Sequence, residues 1–154
     1  GGVSPTCAAH VAASLGSKAD IILDGGSCEA GIESTIVALR ETGEWQVLRP
    51  GPITPEQLTV ILGCGPAGDT GSASIEAPGQ LASHYAPGKP LRLNAQTAAP
   101  DEFHIGFGMV EGDRSLSATG DLAEAAAMLY AALHEAAASP RPPRRPAWVP
   151  WVRC

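Results

Sequence analysis

The chain has no paired cysteine motif. Its four cysteines, Cys7, Cys28, Cys64 and Cys154, are scattered without a Cys-x-x-Cys or a His-x-x-x-His partner, which argues against a zinc site and against a disulfide framework. It also has no long apolar run: nothing approaches the roughly 20 residues that a membrane span requires. No basic-then-apolar leader pattern opens it. These absences lead to the expectation of a cytoplasmic protein with reduced thiols and no membrane partner. Positive charge is scarce as well, with 10 Lys and Arg against 16 Asp and Glu for a net charge of −6. A general attraction to polyphosphate backbones is thereby excluded, and any contact with nucleic acid needs a local patch. The one basic cluster is Arg141, Arg144 and Arg145. There is no Ser/His/Asp triad pattern, no metal-ligand cluster and no Gly-x-x-x-x-Gly-Lys-Ser/Thr loop, and Gly63-Cys64-Gly65-Pro66 is too short and proline-interrupted for a dinucleotide fingerprint.

What is present describes a globular chain: 154 residues, 44% hydrophobic and 17% charged. That length allows one respectable core or a small core in each of two domains. The excess of Ala, Gly and Pro points to a GC-rich genome more than to a function. Ser4 and Pro5 read as N-cap and first position of a helix running to about Leu15 and ended by Gly16. Asp20-Ile21-Ile22-Leu23-Asp24 has the length and apolarity of a strand, with Gly25-Gly26 as the following turn. Ser34 to Leu39 and Trp45 to Leu48, separated by Glu41-Thr42-Gly43-Glu44, read as a hairpin. Thr54-Pro55-Glu56-Gln57 is a capping box with proline at the first helical position, and Leu58, Ile61 and Leu62 continue it as a helix of about two turns.

From Gly63 to Gln80 the composition turns to Gly, Ser, Ala and Pro, the signature of a linker and the expected domain boundary. Beyond it, Pro90-Leu91-Arg92-Leu93 and Phe103 to Gly108 read as strands. Leu122, Ala125, Ala126, Leu129 and Leu133 form the core stripe of a helix starting near Asp121. From Pro140 onward the prolines forbid a helix or a central strand.

Four short polar segments lie at the ends of these elements: Ser4-Pro5-Thr6, Gly31-Ile32-Glu33-Ser34-Thr35, Leu48-Arg49-Pro50-Gly51 and His84-Tyr85-Ala86-Pro87. Judged locally, each has an ordinary reading: a helix cap, a polar strand entry, a solvated strand-end arginine and a packed polar pair. In this order and at these intervals they resemble the Sua5/YrdC family, the enzymes that make threonylcarbamoyl-adenylate for the t6A modification of tRNA. The resemblance covers residues 1 to 138. It implies an α/β fold: a partial YrdC-like twisted open sheet with helices over 1–62, a linker and lid over 63–89, a truncated, small Rossmann-like Sua5 domain over 90–138, and an irregular Pro/Arg-rich tail over 139–154.

By the same resemblance Thr6, Arg49 and Tyr85 are ATP contacts and Ser34 contacts L-threonine, all converging on one adenylate pocket. ATP is then a substrate, with Mg2+, alongside L-threonine and bicarbonate, and tRNA and t6A-pathway proteins are further partners. The chemistry suits these residue types, because a triphosphate calls for helix N-terminal N–H groups and a guanidinium, and an amino acid for short hydroxyls. The linker distinguishes the two-domain Sua5 type from single-domain YrdC proteins. The family's lysine-x-arginine motif and the Ser-Ala-Asn part of its central loop have no counterpart in this sequence, so the chain alone is expected to be inactive. The alternative is a non-catalytic nucleotide- or RNA-binding remnant that needs a complementary chain.

Overall fold

A computed structural model describes residues 2–68, 75–79 and 87–140. The chain divides into two compact units, one formed by Gly1–Gly31 together with Tyr85–Cys154 and the other by Ile32–His84. Helices and small sheets alternate along the sequence, a mixed α/β organisation.

The Ile32–His84 unit is built on a hairpin. Strand β1 (Ile36–Leu39) pairs antiparallel with β2 (Trp45–Arg49), with Leu39 opposite Trp45 and Val37 opposite Val47. The register then slips, so that Ile36 faces Arg49 and Leu48 is left as the extra residue of a bulge. Trp45 is buried; its indole N–H donates to the Cys64 carbonyl at 2.9 Å, and its own carbonyl accepts from Ala67 N–H at 2.7 Å. Burying an indole is stabilising only if its one donor is satisfied, and here the start of the linker supplies the acceptor. Helix α2 (Pro55–Leu62) forms as its capping box dictates: Thr54 Oγ1 accepts from Gln57 N–H, and Gln57 Oε1 accepts from Thr54 N–H at 2.8 Å. Gly63, in the left-handed region at φ 73°, ends it. Further along the linker, Glu76 takes a two-pronged contact from Arg40, at 2.7 and 3.0 Å, which holds its carboxyl below the usual carboxylate range.

In the other unit, helix α1 spans Ala8–Leu15. It does not start at Ser4 and Pro5 as the sequence suggests. The reason is that the Thr6 carbonyl accepts from Cys28 N–H at 2.9 Å, and Thr6 N–H is taken by the His10 ring, so the Thr6 backbone serves partners outside a helical ladder. Cys7 occupies the N-cap position without a side-chain cap, and Gly16 at φ 53° closes the helix as expected. Residues 20–24 are a second correction. They form no strand among the described residues, and Ile21 and Leu23 are 81% and 89% exposed, because no neighbouring strand offers them a ladder. The turn after them does form, with Asp24 Oδ1 accepting from Gly26 N–H at 2.9 Å.

Residues 90–93 likewise form no strand, and 103–108 contribute only β3 (Ile105–Gly106), which pairs parallel with β4 (Arg114–Ser115), a strand that the sequence did not signal. Helix α3 (Leu122–Ala138) starts where expected, its N-cap Asp121 accepting from Glu124 N–H at 2.7 Å. Buried Ser117 braces this start, donating to Glu124 Oε2 at 2.5 Å and accepting from Asp121 N–H at 3.0 Å. At the other end Lys89 Nζ donates to the carbonyls of Ala136 and Ser139, placing a cation at the negative pole of the helix. The fully buried residues of α3 are Tyr130 and Ala132; of the expected stripe Ala125, Ala126, Leu129 and Leu133 are half-buried and Leu122 is 77% exposed. Gly31 lies directly against the Ala127 carbonyl: a β-carbon there would overlap it, so the chain passes α3 at a distance only glycine allows.

Candidate functional site

Two of the sequence-predicted residues meet in the hairpin unit. Arg49 ends β2, and the bulge at Leu48 turns it toward the residues that lead into β1. Its Nε donates to the Ser34 carbonyl at 3.0 Å and its Nη2 to Ser34 Oγ at 3.0 Å, while Glu33 Oε2 stands 3.8 Å from Nη2. The guanidinium is therefore held along its Nε–Nη2 edge by Ser34, with its side chain 14% exposed.

Gly51 makes this approach possible. A β-carbon on it would run into the Thr35 amide and sit 2.6 Å from the Glu33 carbonyl, so the Leu48-Arg49-Pro50-Gly51 turn lies flat on the backbone of Glu33, Ser34 and Thr35. Thr35 fastens the next step, its hydroxyl donating to the Ile53 carbonyl at 2.8 Å and accepting from Ile53 N–H at 3.1 Å. The result is a permanent cation and a hydroxyl presented side by side from a rigid turn, an arrangement that can hold an anionic or hydroxylated ligand.

Thr6 belongs to the other unit. It is buried, at 6% exposure, and faces His10: the ring Nδ1 lies 3.3 Å from Thr6 N and 3.1 Å from Thr6 Oγ1. Because Nδ1 accepts from the backbone N–H it carries no proton, which places the imidazole proton on Nε2. His134 of α3 stacks on this ring, centroids 3.9 Å apart at 19°, and its Nε2 lies 3.1 Å from the Ser4 carbonyl. Desolvation by burial, and secondarily the neighbouring imidazole, hold the His10 pKa below its ordinary 6.5. An open cavity of about 420 Å³ borders the pair, lined among others by Thr6, Cys7, His10, Ser27, His134 and Glu135.

Tyr85, with His84 and Ala86, lies outside the described residues. His10 and His134 did not emerge as site residues from the sequence. His10 had a local signal, since it stands four positions after Thr6 at helical spacing. His134 is 130 residues from its partner Ser4, and nothing short of the fold reveals that contact. Among the described residues no group of three His, Cys, Asp or Glu side chains is placed to hold a metal ion.

Comparison with known proteins agrees with the motifs. A family model described as the C-terminal domain of threonylcarbamoyl-AMP synthase matches residues 53–141, more than half of the chain, and one described as "Telomere recombination", for the Sua5, YciO and YrdC proteins, matches residues 1–51. The chain belongs to the Sua5/YrdC family. Curated relatives named threonylcarbamoyl-AMP synthase are 37% identical over 94 residues in Pyrococcus abyssi, covering 54% of this chain and 26% of that protein, and 38% identical over 93 residues in Bacillus subtilis, covering 58% and 27%. A third, from Schizosaccharomyces pombe, is 46% identical over 56 residues, covering 36% of this chain and 13% of that protein. The chain thus spans about a quarter of the length of the first two relatives. No solved structure matches it significantly. Among the described residues no helix is long and apolar enough to cross a membrane.

Proposed function

We propose that this chain is part of an L-threonylcarbamoyladenylate synthase, which joins L-threonine, bicarbonate and ATP into threonylcarbamoyl-AMP with release of pyrophosphate, for t6A modification of tRNA in the cytoplasm. The observation that carries this reading is the Arg49–Ser34 clasp: a guanidinium fixed at 3.0 Å to a hydroxyl and a carbonyl of one neighbouring turn, within the residues that match the family. Adenylation transfers negative charge to a leaving pyrophosphate, and a preorganised guanidinium stabilises that charge without reorganising as it develops. Arg49 is accordingly assigned to ATP and Ser34 to the threonine substrate. Thr6 is a second nucleotide contact, and Tyr85 is assigned to the nucleotide by the family resemblance.

Mg2+ enters as the counter-ion of the ATP phosphates. The YrdC-like open sheet and the small Rossmann-like domain belong to the complete protein. So does turnover: the chain by itself binds nucleotide without completing the reaction. Calorimetry of the chain with ATP, comparing wild type with Arg49→Ala, tests the assignment. Loss of one charged donor is expected to weaken binding about tenfold to a hundredfold. Equal affinities in the two proteins would remove Arg49 from the site, and vigorous pyrophosphate release by the isolated chain would refute the division of labour.

A further inference from the structure

The two donors of Thr6, its backbone N–H and its hydroxyl, are both spent on one acceptor. Both lie within 3.3 Å of His10 Nδ1, which has a single in-plane lone pair. The ring is held flat against His134, itself tied to the Ser4 carbonyl, so it cannot swing away without breaking a contact between α1 and α3. If Nδ1 gains a proton it becomes a donor. The Thr6 N–H then meets an N–H head-on and must release it, and the Thr6 oxygen accepts from the ring, which frees the hydroxyl proton.

We infer that His10 is a positioning residue for Thr6: unprotonated, it withholds both Thr6 donors, and protonated, it turns them over to an anion in the adjoining cavity. This deepens the proposed function and rests on the reading of Thr6 as a nucleotide contact. Among the described residues, the titratable and charged groups that line the cavity with the ring are His134 and Glu135 from α3 and Cys7 immediately before α1, and the backbone N–H of Cys28 donates to the Thr6 carbonyl. Glu135 in turn lies 3.7 Å from Arg114 Nε, and Lys89 is committed to the carbonyls at the end of α3. Burial opposes a charge on His10 and the stacked His134 adds to it, so the two together set the pH at which the donors are released.

The experiment is a pH titration of the full chain by NMR, following the His10 ring and the Thr6 amide, with and without ATP, in wild type, His10→Gln and His134→Gln. The Thr6 amide is expected to move with the midpoint of His10, to stop titrating in His10→Gln, and to follow a midpoint shifted upward in His134→Gln. Bound ATP should raise the His10 midpoint. The gain in ATP affinity between about pH 8 and about pH 5.5 should be about five- to tenfold larger in wild type than in His10→Gln, a comparison in which the titration of ATP itself cancels. A Thr6 amide that ignores the protonation of His10, a midpoint unmoved by His134→Gln, or ATP that binds without shifting the midpoint would overturn the inference. Coupled titration of Thr6 and His10 in a chain that binds no ATP at any pH would support the positioning role and sink the nucleotide reading of Thr6.

Discussion

The Arg49 clasp and the Thr6 contact solve the same problem with opposite chemistry. In the hairpin unit the candidate group is a permanent cation, and what orients it is a backbone carbonyl and a hydroxyl of Ser34. In the other unit the candidate group is a neutral threonine, and what orients it is a titratable ring stacked on a second one. A guanidinium keeps its charge throughout the range in which proteins work, so the first arrangement depends on steric fit. The second depends on a proton. The difference teaches where each can be broken: one by volume, the other by acid.

Volume is the larger lever. Gly51→Ala places a methyl group into the Thr35 amide and the Glu33 carbonyl, neither of which can move without disturbing the clasp. The expected cost is about 3 kcal/mol of stability, measured by urea denaturation followed through Trp45, with a loss of ATP binding although Arg49 itself is untouched. Unchanged stability would mean that the turn does not lie on those backbone atoms. A smaller effect is expected from Thr35→Val, which keeps the volume but removes the hydroxyl serving both the carbonyl and the N–H of Ile53. About 1 kcal/mol should be lost, and hydrogen exchange at Ile53 should accelerate while that at Thr6 stays unchanged.

What could be foreseen from the sequence follows from the range of the interactions. The capping box at Thr54, the hairpin and the Asp121 N-cap rest on contacts a few residues apart, and each forms as its pattern says. Residues 20–24 and 90–93 have equally good strand composition but no partner strand, and they form no ladder, with Ile21, Leu23, Leu91 and Leu93 exposed. A strand is a property of two segments, whereas a cap is a property of one. Helix α1 shows the converse: Ser4-Pro5 is a sound helix start, and a bond from Cys28 to the Thr6 carbonyl overrides it. At the candidate site the same division holds. Ser34 and Arg49 lie on either side of one hairpin, and they and Thr6 were singled out by the motifs of the family resemblance. The stack of His10 on His134 joins the two ends of the chain, and no local pattern encodes it.

Acid gives the smallest effect and the sharpest contrast between the two arrangements. His10 holds its proton less tightly in the folded chain than its ordinary pKa of 6.5 implies, first because burial disfavours the charged ring and then because His134 lies against it. The unfolded chain therefore binds the proton more readily. The stabilising contribution of the neutral ring is complete above 6.5 and is lost as pH falls from there through the lowered value. Hydrogen exchange, corrected for its intrinsic pH dependence, should show the protection of α1 amides falling over that window while the amides of β1 and β2 hold steady, since the Arg49 clasp contains no group that changes charge there. His10→Gln should flatten the α1 profile, and His134→Gln should move the window to higher pH by removing the second ring. A uniform loss of protection across α1 and the hairpin would show that the proton acts on the chain as a whole, and the separation of a sterically held anchor from a proton-dependent one would fail.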